Sequence, residues 1–296
     1  MPYVIGDFTW TAWDYLGEAG IGKAVYVNED DPLVQKGSWS LMPQPGSPFP
    51  WRLANDADFD ITGHMLPQGA YRSVVWGSEK TYLFSMHPDT FRKVEMITMW
   101  GFPAVLPNWN YSGYEGNPLE LVVYSKAEEV EVFVNGKSIG RKQVCMERPM
   151  PNSAHFETVY EPGEVVAVSY HGGKEISRDV LVTAGEPAEL CLLPEKSEMK
   201  ADGHDVICVG IELRDKDGVV VPNASVPLKI EVEGCGVLAG FGSANPVTDE
   251  DYTDAFTASY RGRAMAIIRS GYESGEVRVE VSVAGMKTVK AELLVV

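Results

Sequence analysis

The chain has 296 residues, of which 45% are hydrophobic and 23% charged, and it carries a net charge of −17. This length is typical of two or three domains, and the composition excludes a disordered or collagen-like protein. The negative charge disfavours nucleic acid and anionic lipid as partners, and no apolar run approaches the roughly 18 residues of a membrane-spanning helix. The net charge does not disfavour binding of a neutral ligand.

The first segment predicts a strand, a loop and a helix, which is one unit of an α/β fold. Residues Tyr3–Trp10 are apolar on both faces, as in a buried parallel strand. A loop rich in proline and glycine follows over residues 41–51. Pro67 then begins a predicted helix, because Ala70 and Val74 fall at helical spacing behind it. If its neighbours are absent, we expect this segment to fold back on the next domain.

From about residue 86 the pattern changes to short strands separated by turn signals. Asn135-Gly136 and Gly172-Gly173 each predict a two-residue hairpin. These features are typical of an immunoglobulin-like sandwich over residues 86–185. A linker at Gly185–Leu190 leads to a second sandwich over residues 186–296, with a hairpin turn at Asp215–Gly218. All seven tryptophans precede residue 110, which marks a change of domain type.

Three stretches resemble glycoside hydrolase family 2, the β-galactosidase and β-glucuronidase group. "GDFTWTAWDYLGEAGIG" is similar to the eighth strand and following loop of that family's barrel, and "FPWRLANDADFDITGHMLPQGAYRSVVWG" to its last loop and helix. "LPNWNYSGYEGNPLELVVYSKAEEVEVFVNGKSIGRK" resembles the sandwich that follows in bacterial β-galactosidases. The resemblance implies a mainly β protein, with two immunoglobulin-like β-sandwich domains preceded by the last strand and helix of a (β/α)8 barrel. Residues 1–85 would be the remnant of the barrel.

The resemblance also implies a retaining glycosidase whose two catalytic glutamates stand on barrel strands outside these residues. No catalytic residue is therefore assigned in this chain, which would be inactive alone. Its substrate would be a β-galactoside or a related neutral sugar, and the remainder of the catalytic barrel would be its partner. The sugar itself and the oligomeric state stay open.

Four residues are candidates for contact with the sugar in the intact enzyme: Trp10, Trp13, Asp14 and Trp109. Trp10 matches a tryptophan that forms the floor of the family's sugar site, at the strand end where barrels carry their active sites. Asp14 could accept bonds from sugar hydroxyls or cap a turn. Trp109, with Tyr111 on a loop, could close the pocket or pack between domains.

Other motifs point to ordinary structural roles. Asp56, Asp58 and Asp60 alternate like the opening of a calcium loop, but the glycine and glutamate of that loop are missing, which favours loop capping. The cysteines and histidines show no zinc spacing, and no metal or cofactor is expected. No signal-peptide pattern follows Met1, so the chain as written is expected in the cytoplasm, while a periplasmic or secreted parent stays open.

Two other functions are alternatives to the glycosidase interpretation. The first is a stand-alone carbohydrate-binding module that uses exposed aromatic side chains, and Trp109 is its best candidate residue. The second is a purely structural spacer, which the absence of tryptophan after residue 109 favours for the last domain.

Overall fold

Contacts within the chain divide it into two units, Met1–Thr183 and Ala184–Val296. The computed structural model describes residues 3, 6, 8–36, 49–97, 100–147 and 150–296. Within these ranges the protein is mainly β, as the sequence predicts. The finer division into domains 1–85, 86–185 and 186–296 stays a prediction.

In the described part of the N-terminal unit there are two α-helices and several antiparallel ladders. The helices are α1 (Pro32–Lys36) and α2 (Pro67–Val75), and a short 3₁₀ turn spans Pro88–Thr90. The strands in chain order are β1 (Ala24–Val27), β2 (Tyr82–Met86), β3 (Val94–Ile97), β4 (Val105–Leu106), β5 (Pro118–Tyr124), β6 (Glu129–Val134), β7 (Lys137–Gln143), β8 (Ser153–Val159), β9 (Glu164–His171) and β10 (Lys174–Val182).

Two four-stranded sheets of this unit, ordered β4-β2-β5-β8 and β10-β9-β6-β7, share one hydrophobic core. Alternation decides which side chains enter it: Leu119, Leu121 and Val123 of β5 point inward, while Val122 and Tyr124 belong to a cluster on the other face. The Asn135-Gly136 and Gly172-Gly173 hairpins are confirmed, because all four residues have positive φ and the flanking residues pair in register.

Helix α2 packs on that other face of the sheet, so part of the first segment does fold back. Its buried Ala70 and Val74 join the cluster that contains Val122 and Tyr124. Pro67 occupies the first helical turn, where its missing N–H costs nothing. Outside this sheet, β1 pairs with β3 in an antiparallel ladder from Ala24↔Ile97 to Val27↔Val94.

The predicted buried strand at Tyr3–Trp10 is wrong for the described residues there, which belong to no strand. Phe8 and Trp10 are exposed. A parallel strand of a barrel is stable only when neighbours satisfy both of its edges, and no described strand pairs with these residues. Residues 4, 5 and 7 of this stretch, and 41–48 of the predicted proline-rich loop, lie outside the described residues.

The C-terminal unit is a second pair of sheets around its own core. The sheets are ordered β11-β13-β17-β15 and β12-β19-β18-β14-β16, and only the β12–β19 pair among them is parallel. Their strands are β11 (Glu189–Pro194), β12 (Glu198–Met199), β13 (Val206–Arg214), β14 (Pro227–Gly234), β15 (Gly236–Gly242), β16 (Phe256–Ala258), β17 (Arg263–Ser270), β18 (Gly275–Ser282) and β19 (Val289–Val295).

The predicted turn at Asp215–Gly218 is confirmed in this unit. The Asp215 carboxylate accepts the backbone N–H groups of Asp217 and Val219, each at 2.9 Å, while Gly218 takes a φ of 82°. The second carboxylate oxygen of Asp215 accepts the N–H of Gly185 at 2.7 Å. One side chain thus closes the turn and holds the first residues of the unit.

Candidate functional site

The loop that carries Trp10, Trp13 and Asp14 is held by backbone bonds to residues 52–59. The N–H of Asp14 donates to the carbonyl of Phe59 at 2.9 Å, and the N–H of Phe59 donates to the carbonyl of Ala12 at 2.9 Å. Two further bridges pair Trp13 with Phe59 and Leu16 with Leu53. These bonds position the loop without a regular strand.

Trp10 presents an indole at this loop that is 70% exposed. Its Nε1–H donates to the hydroxyl of Tyr15 at 3.2 Å, and the two rings meet edge to face with centroids 5.9 Å apart. The Tyr15 hydroxyl in turn donates to the carboxylate of Glu18. Because the ring is anchored through its edge, its apolar surface stays available for contact with a ligand.

Trp13 lies differently, although it is also about half exposed. Its ring stacks on Phe59 with centroids 4.9 Å apart and an interplanar angle of 20°. Gly63 lies beside the indole, and a Cβ there would make an ordinary van der Waals contact with it at 3.7 Å. Phe59 therefore occupies one face of Trp13, which leaves less of its ring surface for a sugar than Trp10 offers.

Asp14 is buried, and its environment favours the neutral acid. Its Oδ1 accepts the N–H of Ala57 at 3.2 Å. Burial raises the pKa of Asp14 to about 7, and the nearby carboxylates of Asp56 and Asp60 act in the same direction. Asp56 is buried too, and its Oδ1 has no partner among the described residues. This bond is structural, but it joins Asp14 to a segment 43 residues away and is not a cap of the turn that follows Asp14.

The other aspartates of the loop have structural partners. Asp58 receives both of its bonds from Nε of Arg72, at 2.9 and 2.7 Å, which ties the loop to helix α2. Gly69 allows this approach, because a Cβ there would lie 2.4 Å from the carbonyl oxygen of Asp58. Asp60 accepts the N–H groups of Thr62 and His64. Among the described residues, no group of three acidic, histidine or cysteine side chains could hold a metal ion.

Trp109 does not join the other three candidates. Only 1% of its surface is exposed, and it belongs to the core between the two sheets of the N-terminal unit. Its Nε1–H donates to the carbonyl of Glu161 at 3.0 Å, and its ring packs edge to face on Tyr160. Tyr111 is buried as well. The expectation of an exposed aromatic pair is thus corrected, and Trp109 packs inside the sandwich core rather than between domains.

Sequence reasoning missed the roles of Tyr15 and Arg72. The Trp10–Tyr15–Glu18 chain depends on a loop conformation that no periodic pattern encodes. Arg72 stands on the polar side of a helix, where the sequence indicates only a solvated charge.

Two family models match parts of the chain. A model described as glycoside hydrolase family 2 C-terminal domain 5 matches residues 190–292. A model described as a domain of unknown function, DUF4982, matches residues 116–177.

Individual proteins match more of it. Beta-galactosidase BoGH2A of Bacteroides ovatus is 26% identical over 288 residues, which cover 96% of this chain and 28% of that protein. A beta-galactosidase of Thermoanaerobacter pseudethanolicus is 29% identical over 183 residues, 55% of this chain and 22% of that protein. The crystal structure of a glycosyl hydrolase family 2 member from Bacteroides cellulosilyticus superposes with a TM-score of 0.86 at 31% identity, over 99% of this chain and 36% of that one.

The fold and these matches define the chain as a mainly β protein that is similar to the C-terminal domains of glycoside hydrolase family 2 members. It belongs to glycoside hydrolase family 2 and corresponds to the C-terminal portion of its members. It spans about a third or less of the length of these relatives. No helix among the described residues is long and apolar enough to cross a membrane.

Proposed function

We propose that the chain is the C-terminal part of a retaining β-glycosidase of β-galactosidase type. In this proposal it contributes one wall of the sugar pocket and two accessory sandwiches. The observation that carries the proposal is the exposed indole of Trp10, anchored at its edge by Tyr15 on the loop that resembles the end of the last barrel strand. Two relatives are named beta-galactosidases, which supports a neutral β-galactoside as the substrate.

The candidate residues take unequal roles in this proposal. Trp10 offers its ring to the apolar C–H face of a pyranose, a contact that does not depend on charge. Trp13 supports the loop through its stack on Phe59 and adds contact at its exposed edge. Asp14, as a buried acid near its neutral form, holds the loop backbone at Ala57. Trp109 contributes by packing the sandwich behind the site.

Catalysis would come from elsewhere in the assembled enzyme. A retaining mechanism needs two carboxyl groups about 5 Å apart on either side of the glycosidic bond. The resemblance places both on other barrel strands, and the remainder of that barrel is the partner that we propose for this chain. We therefore expect the purified chain not to hydrolyse nitrophenyl β-galactoside.

A chimera tests the proposal directly. The aligned residues of the Bacteroides ovatus beta-galactosidase are replaced by this chain, and kcat/KM is measured on nitrophenyl β-galactoside. We expect Trp10→Ala to lower kcat/KM of the chimera by about 10- to 100-fold, since it removes a contact worth roughly 1.4 to 2.7 kcal/mol in the transition state. Trp76→Ala is the matched control, because Trp76 is also highly exposed but lies at the end of α2.

Two outcomes would contradict the proposal. One is an equal effect of the two tryptophan substitutions, which would show that Trp10 contributes no more than any exposed indole. The other is hydrolysis by the isolated chain that a substitution of one of its own carboxylates abolishes.

A further inference from the structure

A cavity of about 490 Å³ lies on the outer face of the β4-β2-β5-β8 sheet. Its floor includes Val122 and Tyr124 of β5 and Ser153 and His155 of β8, which stand opposite each other in register. Tyr26 of β1 and Glu95 of β3 form part of its wall. The volume falls within the range of about 300–1,000 Å³ that is usual for small-molecule sites. Trp10, Trp13 and Asp14 are not among its lining residues.

Polar groups with unused bonding capacity converge in this cavity. The Tyr26 hydroxyl donates to the Glu95 carboxylate and accepts the N–H of Ala104 at 3.1 Å. Burial raises the pKa of Glu95, and its hydrogen-bond partner is a neutral hydroxyl. A carboxylate offers about four lone-pair sites, so Glu95 can accept further hydroxyl donors from a ligand.

Tyr124 adds a second observation. It is 1% exposed, and its hydroxyl has no hydrogen-bond partner among the described residues. Buried hydroxyls in folded proteins nearly always have a partner, supplied by protein, water or ligand. Tyr124 lines the cavity through its ring, while its hydroxyl oxygen is buried within the protein.

Carboxylates outnumber permanent cations around the cavity, with Glu95, Glu120, Glu147 and Glu157 against Arg92 and Lys93. His155 Nδ1 contacts the carboxylate of Glu120, and Arg92 lies 4.0 Å from Glu157. Lys93 and Glu147, which also line the cavity, carry opposite signs. Negative charge is in excess at this cavity, which disfavours an anionic ligand. Phe91 and Val122 add apolar surface suited to C–H groups.

We propose that this cavity binds a neutral monosaccharide or disaccharide. Glu95 and Glu120 accept hydrogen bonds from its hydroxyl groups, and Phe91 and Val122 contact its C–H face. Hydroxyl donors in the ligand match the carboxylate acceptors, and a neutral ligand avoids the repulsion that these carboxylates would exert on an anion. The inference does not depend on hydrolysis by the parent enzyme, because binding here would be measurable in this chain alone.

The test is titration calorimetry of the full chain with galactose, glucose, lactose and glucuronate. At least one of the three neutral sugars is expected to bind, and Glu95→Gln and Glu120→Gln are each expected to weaken that binding at least tenfold. Glu79→Gln, at an exposed position away from the cavity, is the matched control and should leave the affinity unchanged. Circular dichroism of each variant checks the fold, and Glu120→Gln alone suffices if Glu95→Gln does not fold.

Three results would overturn the proposal. No heat with any of the neutral sugars would show that the cavity is not a sugar site. Tighter binding of glucuronate would show that the class of ligand is wrong. Binding that the Trp10→Ala, Trp13→Ala double variant abolishes and Glu120→Gln leaves unchanged would place the sugar at the tryptophan loop instead.

Discussion

Asp14 is a buried side chain whose ionisation makes the free energy of unfolding of this protein depend on pH. Burial raises the pKa of its carboxyl to about 7, from an ordinary value of 3.8. Between about pH 4 and pH 7 the folded state therefore holds a proton that the unfolded chain has released. Because the folded state binds more protons, the free energy of unfolding falls as pH rises through this window.

We expect Asp14→Asn to flatten that pH dependence. The amide cannot ionise, so the variant loses a slope of up to about 1.4 kcal/mol per pH unit and becomes more stable than the parent near pH 7 by a few kcal/mol. Urea unfolding measured at several values between pH 4 and pH 8 checks this. Some slope remains, since burial also raises the pKa values of Asp56 and Asp179.

The control for this experiment is Asp30→Asn, at an exposed position. It should leave the pH profile of the parent unchanged. A profile for Asp14→Asn that runs parallel to the parent from pH 4 to pH 8 would show that Asp14 ionises normally in the folded state.

For single residues, the sequence predicts which side chains belong to the tryptophan-rich loop better than it predicts which side chains are buried. The tryptophan-rich loop is visible as a motif, and Trp10 and Trp13 do lie exposed on it. Burial of Asp14 and Trp109 is not readable, because it depends on segments that lie 43 and 52 residues away and supply Ala57 and Glu161 as partners. Such long-range partners leave no local pattern in a single sequence.

At the scale of elements, the Gly172-Gly173 hairpin gives a clean test of backbone strain. Gly172 has a φ of 54°, and a Cβ at that position would meet nothing within 4 Å. Any cost of substitution is therefore conformational rather than steric. We expect Gly172→Asn to change the free energy of unfolding by less than about 0.5 kcal/mol, because asparagine tolerates the left-handed region.

Gly172→Val is the matched comparison in the same turn. A β-branched residue is strained at positive φ, so the variant should lose about 1–2 kcal/mol in urea unfolding. Equal stabilities for the two variants would mean that the turn relaxes to another conformation in solution.

Elements whose signals are local were predicted well. The two hairpins and helix α2 follow from turn residues, from Pro67 and from helical spacing. The prediction of a strand at Tyr3–Trp10 is wrong because a strand needs hydrogen-bonded neighbours, and a run of apolar residues does not show that such neighbours exist. Residues that would suit a barrel interior remain as an exposed loop when no described strand lies beside them.

At the scale of the whole molecule, the distribution of tryptophan makes the two units separately observable. All seven tryptophans precede residue 110, so intrinsic indole fluorescence reports only the N-terminal unit. Circular dichroism reports both units. Each unit has a hydrophobic core of its own, which leads us to expect two unfolding transitions.

Adjacent residues of β17 test this expectation. Ile268 is fully buried in the C-terminal core, whereas Ile267 points outward and is 37% exposed. We expect Ile268→Ala to destabilise the C-terminal unit by about 2–5 kcal/mol and Ile267→Ala by about 1 kcal/mol or less. The fluorescence transition should not move in either variant. A fluorescence midpoint that shifts with Ile268→Ala would show that the units unfold together.

The junction of Asp58, Gly69 and Arg72 has a practical consequence for protein engineering. Helix and loop touch so closely there that neither can be exchanged alone. A foreign loop without Asp58 would lack the carboxylate that accepts the hydrogen bond from Arg72. A foreign helix without glycine at position 69 would place a Cβ against the backbone carbonyl of the loop. Transplants of this region should therefore move residues 51–75 together.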